Sequence, residues 1–404
     1  MQTYRITPHD LLFFRDGRPL DRNKQDADHR NIGHGAFWPR PDHLFHAVLH
    51  ALVGSRTIGG HAAYGQFGGL QTVGPFPLRK NKDGTETFFL PRPLDWDCVL
   101  EEMPEAGIGK TDAPAFLHHG IIDREEGKKN YPAWISDKDY KAYLEDDLSC
   151  ESLKGYRFCN HDENDGPLFL AETRVGNTLD HDTGASKRFR DKSRSGQYEA
   201  QYLRLGKRVA MWVAADTGSE DSEIPLDFVM GGQNLLVSCQ PDDSLPKIHT
   251  RFPIPSAPPG SGPFFVRWTL LVPALFEQTG WRPGWVDSSD GRVRLKEKEL
   301  TRGENEPRSE WKARQESVPE IAGVHLDAAC IGKPLVFSGF DAIEGVKPTR
   351  LAVPAGSCYV FLCDTESAAN ALVGQLHLKR KSDFGPQGFG IGVCSFVKTH
   401  TRKS

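Results

Sequence analysis

No apolar run in the 404-residue chain approaches the ~20 residues a helix needs to span a bilayer. Its opening stretch, MQTYRITPHD, lacks a basic segment followed by an apolar one. No secretory signal is read there, and the expectation is a cytoplasmic protein. None of the eight cysteines (Cys98, Cys150, Cys159, Cys239, Cys330, Cys358, Cys363, Cys394) stands in a C-x-x-C spacing. That disfavours a zinc knuckle or a thioredoxin-type centre and favours free, mostly buried thiols in a reducing compartment. The sequence has no G-x-x-x-x-G-K-[ST], no ordered G-x-G-x-x-G and no H-E-x-x-H. Nucleotide hydrolysis and zinc-protease chemistry are therefore unsupported. No G-x-S-x-G, Ser-His-Asp order or paired-carboxylate motif stands out, so no catalytic set is assigned. Net positive charge is absent too, at a formal −4, which argues against a wholly basic nucleic-acid-binding surface.

What is present is an uneven charge. Between Lys187 and Arg208 eight basic residues face Asp191 and Glu199, a local +6. From Leu376 to Ser404 six Lys/Arg face Asp383, a local +5, while Glu145-Asp146-Asp147 is acidic. Such asymmetry suits one basic groove on an otherwise acidic body, although each basic run taken alone reads as a solvated loop.

The coarse order of elements is α+β. MQTYRIT alternates as an opening strand. Asp42 is expected to cap a helix carrying Leu44, Phe45, Val48, Leu49 and Leu52, with Gly54 as its stop. Strands follow near 72–78 and 86–90, and a helix near 136–148. Residues 168–213 read as a long hairpin whose tip, DHDTGASKRFRDKSRSG, has almost nothing to bury and is expected to be mobile or ordered only by a partner. The polar stretch 216–225 marks the domain boundary. Beyond it strands are expected near 226–238, 264–272, 333–338 and 355–363, a helix at 365–376, and a glycine-rich lead into a last strand at 384–397. Strand, helix, hairpin, helix, strand, taken twice, is the rhythm of a ferredoxin-like unit.

Four features carry candidate chemistry. In LLFFRDGRPL, Gly17 and Pro19 force a turn beside Arg15 and Arg18, with Asp16 able to hold Arg15. Presentation of arginine to phosphate and a plain surface salt bridge are equally supported there. His43, His46 and His50 share a helix face without the Glu of a metal motif, so satisfied helix histidines are the plainer reading. His34 or His46 as general base in RNA cleavage is the sharper one. Phe189, Tyr198 and Tyr202 interleave the basic tip, the composition of a grip on single strands. Gly385, Gly388, Gly390 and Gly392, beside Lys379-Arg380-Lys381, let the backbone approach a polyanion or simply bend.

Five blocks together carry a resemblance: LLFFRDGRPL, PRPDHLFHAVLHAL, TRVGNTLDHDTGASK with GQYEAQYLRL, KPTRLAVPAGSCYVF, and GPQGFGIGVCSFV. They resemble the RAMP superfamily of CRISPR proteins, and within it the family of third subunits of the Cmr complex, the type III-B RNA-guided effector. The chain departs from that family at Phe45 and His46, where small residues are usual, and at GGQNLL, where a Gly-Gly-Glu-Arg stretch is usual. The resemblance implies two ferredoxin-like (RRM-like) domains, 1–215 with a thumb hairpin at about 172–204, and 225–404 with a glycine-rich loop at 385–392. It implies a non-catalytic subunit without cofactor or metal, capping the 5′ tag of the guide RNA and docking on the large polymerase-like subunit and the backbone subunits. The RNA-binding residues it implies are Arg15, Arg18, His46, Arg174, Lys187, Arg188, Phe189, Arg190, Gly385, Gly388, Phe389, Gly390 and Gly392. Two alternatives stay open at this point: a metal-independent endoribonuclease processing repeat RNA, and an enzyme binding a phosphorylated small molecule at the glycine-rich loop.

Overall fold

A computed structural model of the chain describes residues 1–15, 31–33, 35–54, 68–96, 98–102, 117–123, 132–145, 161–162, 166–177, 179, 182–185, 197–218, 223–303, 306–338, 340–341, 345–346 and 348–397. The principal elements in the first half are β1 (Gln2–Pro8), β2 (Asn31–Gly33), α1 (Pro41–Val53), β3 (Gln71–Lys80), β4 (Glu86–Pro91), β5 (Cys98–Glu102), β6 (His119–Asp123), β7 (Trp134–Ser136) and α2 (Asp137–Leu144). Next come β8 (Phe169–Asn177), β9 (Gln197–Leu205), β10 (Val209–Asp216), β11 (Asp227–Val229) and β12 (Leu236–Pro241). The last are β13 (Phe264–Leu270), α3 (Arg308–Ser317), β14 (Val324–Cys330), β15 (Cys358–Cys363), α4 (Glu366–Leu376) and β16 (Gly392–Val397). No described helix is long and apolar enough to cross a membrane.

The chain divides into two compact units. The first is Met1–Phe88, Asn160–Leu245 and Leu335–Arg350; the second is Phe89–Cys159, Pro246–Pro334 and Leu351–Ser404. Residues 89–159 thus cluster with the second half of the chain.

In the first unit an antiparallel sheet runs β11-β12-β1-β10-β3-β4. Ile6 is paired on both sides, with Met211 and with Cys239, and is fully buried. Phe76, Phe88 and Trp212 form an aromatic cluster with centroids 5.2–6.0 Å apart, near the optimum for tilted rings. Helix α1 lies on β3 and β11, burying Leu44, Ala47, Val48 and Leu49. Its start corrects the sequence expectation. Proline takes the first helical position, Pro41, so the cap is Arg40 and Asp42 lies inside the first turn. There Asp42 is buried and pairs with Arg40, Oδ1 to Nε at 3.0 Å. Gly54 ends the helix at φ 66° as expected.

In the second unit the sheet runs β14-β15-β13-β16, again antiparallel throughout. One face carries the core: Trp268, Tyr359, Phe361, Leu372, Val373 and Leu376 are buried together, with α4 across β13 and β16. Thr365 caps α4, its hydroxyl accepting from the Ala368 N–H at 3.2 Å. The other face is covered by Leu100 and Ile121 of the β5–β6 hairpin, which meet Phe265, Ala328 and Val360. Helix α2 adds buried Tyr140 and Tyr143 to this unit and is capped by Ser136.

The expected pair of helices per unit is half present. Between β10 and β12 the described residues form β11 and a glycine turn, because Pro225 and Gly231-Gly232 interrupt any helix. Between β13 and β14 the only described helix of that length is α3, which buries no residue and so is not a packed crossover.

Candidate nucleic-acid interface

The hairpin of the first unit is formed by β8 and β9, in register from Phe169↔Leu205 to Asn177↔Gln197. β2 joins β9 in parallel at Asn31–Gly33. The return strand does not run on to 213 as the sequence suggested. It breaks at Gly206–Arg208, with Arg208 at φ 60°, and β10 restarts in the central sheet. A Cβ on Gly206 would lie 1.9 Å from the Pro167 carbonyl oxygen, so only glycine fits at the break.

LLFF is not part of the opening strand. β1 ends at Pro8, and Leu12 exchanges two backbone hydrogen bonds with Leu203 of the hairpin, at 2.9 and 2.8 Å. Leu11, Leu12 and Phe14 are buried at the hairpin root, not in β1. Arg15 is exposed and its backbone bridges Gly35. Arg18 lies outside the described residues, as do Lys187, Arg188, Phe189, Arg190 and His34.

The third segment at the root is the turn between β11 and β12. Gly231, Gln233 and Asn234 have φ of 83°, 64° and 55°. Two consecutive non-glycine residues in the left-handed region cost roughly 1–2 kcal/mol each, and both are exposed. They persist because neighbours hold them: Gly232 N–H donates to Phe13 O at 2.8 Å, and Tyr202 Oη donates to Gln233 Oε1. Phe13 lies against Tyr202, ring centroids 5.5 Å apart. Strain over-determined in this way clusters at functional sites.

Charge at the root is arranged as a ring. Glu172 accepts from Arg174 Nε at 2.9 Å and from Arg204 Nε at 2.5 Å; Asp10 meets the same two arginines at 3.3 and 3.1 Å. The two arginines hold the Glu172 carboxyl below its usual range, and Glu172 in turn raises both guanidiniums. At such exposure these pairs add little stability, but they orient the guanidiniums. Arg174 also lies 5.9 Å over the Tyr202 ring, an arginine on an aromatic face.

Other sequence candidates fall elsewhere. On α1, His43 stacks on Phe14 at 5.0 Å, while His46 and His50 are exposed. No metal-ligand cluster occurs among the described residues. The glycine-rich bend belongs to the second unit and is spoken for internally. Gly388 N–H donates to Gly385 O at 2.8 Å, Gly390 N–H to Pro273 O at 2.9 Å, and the Gly392 carbonyl accepts from Leu378 N–H at 2.7 Å. Phe389 is fully buried, so its ring is not a stacking surface. The amides of Gly388 and Gly390, expected to face a phosphate, are already bonded. Their glycines serve close packing: a Cβ on Gly390 would lie 2.2 Å from Ser382 Oγ, and one on Gly392 2.4 Å from Trp268 Nε1. Lys381 is drawn onto Glu299 and Gln375.

Segments remote in sequence, 10–15, the paired strands 169–177 and 197–205, and 231–234, therefore share one surface of the first unit. Asp10 and Glu172 were not singled out from the sequence as parts of it, while Arg204 stood only in the basic run and Asn234 only in GGQNLL.

The model of the CRISPR-associated protein family Cas_Cmr3 matches residues 4–394. The chain belongs to the Cas_Cmr3 family. It is thus a type III CRISPR effector subunit. Among solved structures, a chain of the Type III-B Cmr-beta complex bound to cognate target RNA and AMPPnP is similar at 13% identity and a TM-score of 0.42, over 89% of this chain and 86% of that one. A chain of the Csm3-Csm4 subcomplex of the type III-A interference complex is similar at 12% identity and a TM-score of 0.37, over 89% and 92%. No curated protein matches the chain.

Proposed function

We propose that this Cas_Cmr3-family chain is the non-catalytic subunit that holds the 5′ tag of the guide RNA in a type III-B effector. In that reading it docks the large polymerase-like subunit onto the backbone subunits. The β8–β9 hairpin is its thumb, and the basic tip at 187–194 tracks phosphates beyond the root. The observation that supports this most is the convergence at the hairpin root of the Arg174/Arg204 ring, the Phe13–Tyr202 aromatic pair and the strained turn at Gly231–Asn234. Arginines oriented beside an exposed, strained backbone turn suit the open phosphates of a single strand, with buried Tyr202 backing that surface from within. The strand orders β12-β1-β10-β3 and β16-β13-β15-β14 support two ferredoxin-like domains, each lacking one packed crossover helix among the described residues.

The test is assembly. Arg188→Ala/Arg190→Ala is expected to weaken recovery of the complex on guide RNA, and to reduce the salt slope by about 0.7 for each lost contact to a single strand. Pure chain incubated with repeat RNA in chelator is expected to leave the RNA intact. Unchanged assembly and slope in the double variant would refute the RNA-binding role. Clean cleavage lost in His46→Ala would refute the non-catalytic one.

A further inference from the structure

A cleft opens in the first unit between the end of β1 and the β9–β10 turn, sharing Asp10 and Arg204 with the charge ring of the hairpin root. Its volume is about 440 Å³, within the range of small-ligand sites. Four cationic side chains, Arg5, Lys80, Arg204 and Arg208, line it against a single carboxylate, Asp10. Pro8, Leu205, Val209 and Ala210 supply an apolar wall.

The four cations differ in their commitments. Arg5 is held from outside the cleft by Glu86 at 2.7 Å and Asp242 at 3.0 Å, so it forms a rigid charged wall. Arg204 is oriented by Glu172 and Asp10. Lys80 is exposed and makes no ion pair with any described residue. Arg208 is carried by a left-handed backbone at φ 60°, and its carbonyl accepts the Lys80 N–H at 2.9 Å. That bond places the two cationic residues side by side at the lip. The strained Arg208 conformation is set by the break at Gly206, where no side chain fits.

We infer that this cleft binds one phosphate-bearing nucleotide, its phosphate at Lys80 and Arg208 and its base or sugar against Leu205 and Val209. A phosphate offers oxygens to several donors at once, which suits a point-like ammonium beside a planar guanidinium. The apolar wall explains why the cleft is larger than an inorganic anion requires. The nucleotide can come from a strand or be free, and the inference does not depend on the proposed guide-binding role.

The test uses the intact chain with adenosine 5′-monophosphate and inorganic phosphate in equilibrium dialysis, and an eight-nucleotide single-stranded RNA in fluorescence anisotropy. The variant is Lys80→Ala/Arg208→Gly, since glycine keeps the φ of Arg208. Lys333→Ala in the second unit is the control, and circular dichroism checks the fold. If the double variant misfolds, Lys80→Gln alone replaces it. Loss of two charge-assisted contacts is expected to weaken binding at least about tenfold, with the control unchanged. Loss of adenosine monophosphate binding, competed by phosphate, assigns the site to free nucleotides. Loss confined to the RNA assigns it to a strand. Affinities for all probes that are equal in variant and wild type overturn the inference, and they do so whether or not Arg188→Ala/Arg190→Ala impairs assembly.

Discussion

Replacing Arg267 with alanine is expected to unfold the second unit well before the wild type. Arg267 and Asp95 are 5% and 7% exposed, and their charges meet at 3.2 Å. The guanidinium also donates to Tyr143 O at 2.9 Å and to Ser395 Oγ at 3.1 Å, and lies 3.8 Å over the Tyr143 ring. Tyr143 Oη completes the cluster by donating to Asp95 at 2.6 Å. Arg267→Ala leaves a buried carboxylate with the tyrosine hydroxyl in place of its counter-charge. Removing one member of such a pair costs about 3–5 kcal/mol, a large share of a domain's stability of roughly 5–15 kcal/mol. For a unit of this size 1 kcal/mol moves Tm by about 2–4 °C, so a drop of about 6–20 °C is expected. Six of the eight tryptophans, Trp96, Trp134, Trp268, Trp281, Trp285 and Trp311, belong to this unit, so fluorescence during urea or thermal unfolding reports on it. Arg267→Met/Asp95→Leu, which removes both charges, should recover part of the loss. A single variant within about 1 kcal/mol of wild type, the range of exposed pairs, would refute the claim that this cluster is dry.

Two further outcomes are expected. Burial, helped by the Arg40 charge and opposed by Asp42, lowers the His43 pKa from 6.5 to about 4. The unfolded chain then takes up a proton that the folded imidazole refuses. Stability is complete above pH 6.5 and falls by up to about 3 kcal/mol as pH drops to 4. Urea midpoints against pH should show this slope, reduced in His43→Gln; equal slopes would place His43 in water. In the second unit, Gly392→Ala would set a Cβ 2.4 Å from Trp268 Nε1 and 2.7 Å from Thr269 O. Overpacking of this kind should cost about 1–3 kcal/mol in denaturant unfolding, and a silent substitution would contradict the β13–β16 register.

Local elements were legible because their signals are local. Ser136 and Thr365 cap helices where a polar residue precedes an apolar-periodic run, and Gly54 ends α1. Arg40, not Asp42, caps α1 because Pro41 takes the first helical position, two residues earlier than expected. The hairpin arms were visible in alternation, but the break at Gly206–Arg208 was not, since it depends on the Pro167 carbonyl packed against Gly206. The glycine-rich bend shows the same limit. A run of glycines reads alike whether it faces an anion or a neighbouring strand, and here Trp268 and Ser382 occupy the space.

The amino-acid order by itself determined roughly where most strands and helices lie, which faces are apolar, that positive charge gathers at 187–208, and the resemblance the Cas_Cmr3 match bears out. Tertiary structure alone decided that LLFF pairs with Leu203, that residues 89–159 join the second unit, and that Asp10, Glu172, Arg174 and Arg204 close into a ring. The reason is that hydrophobic periodicity specifies which side of an element must be covered, whereas the covering partner is chosen by shape and hydrogen-bond satisfaction between segments far apart along the chain.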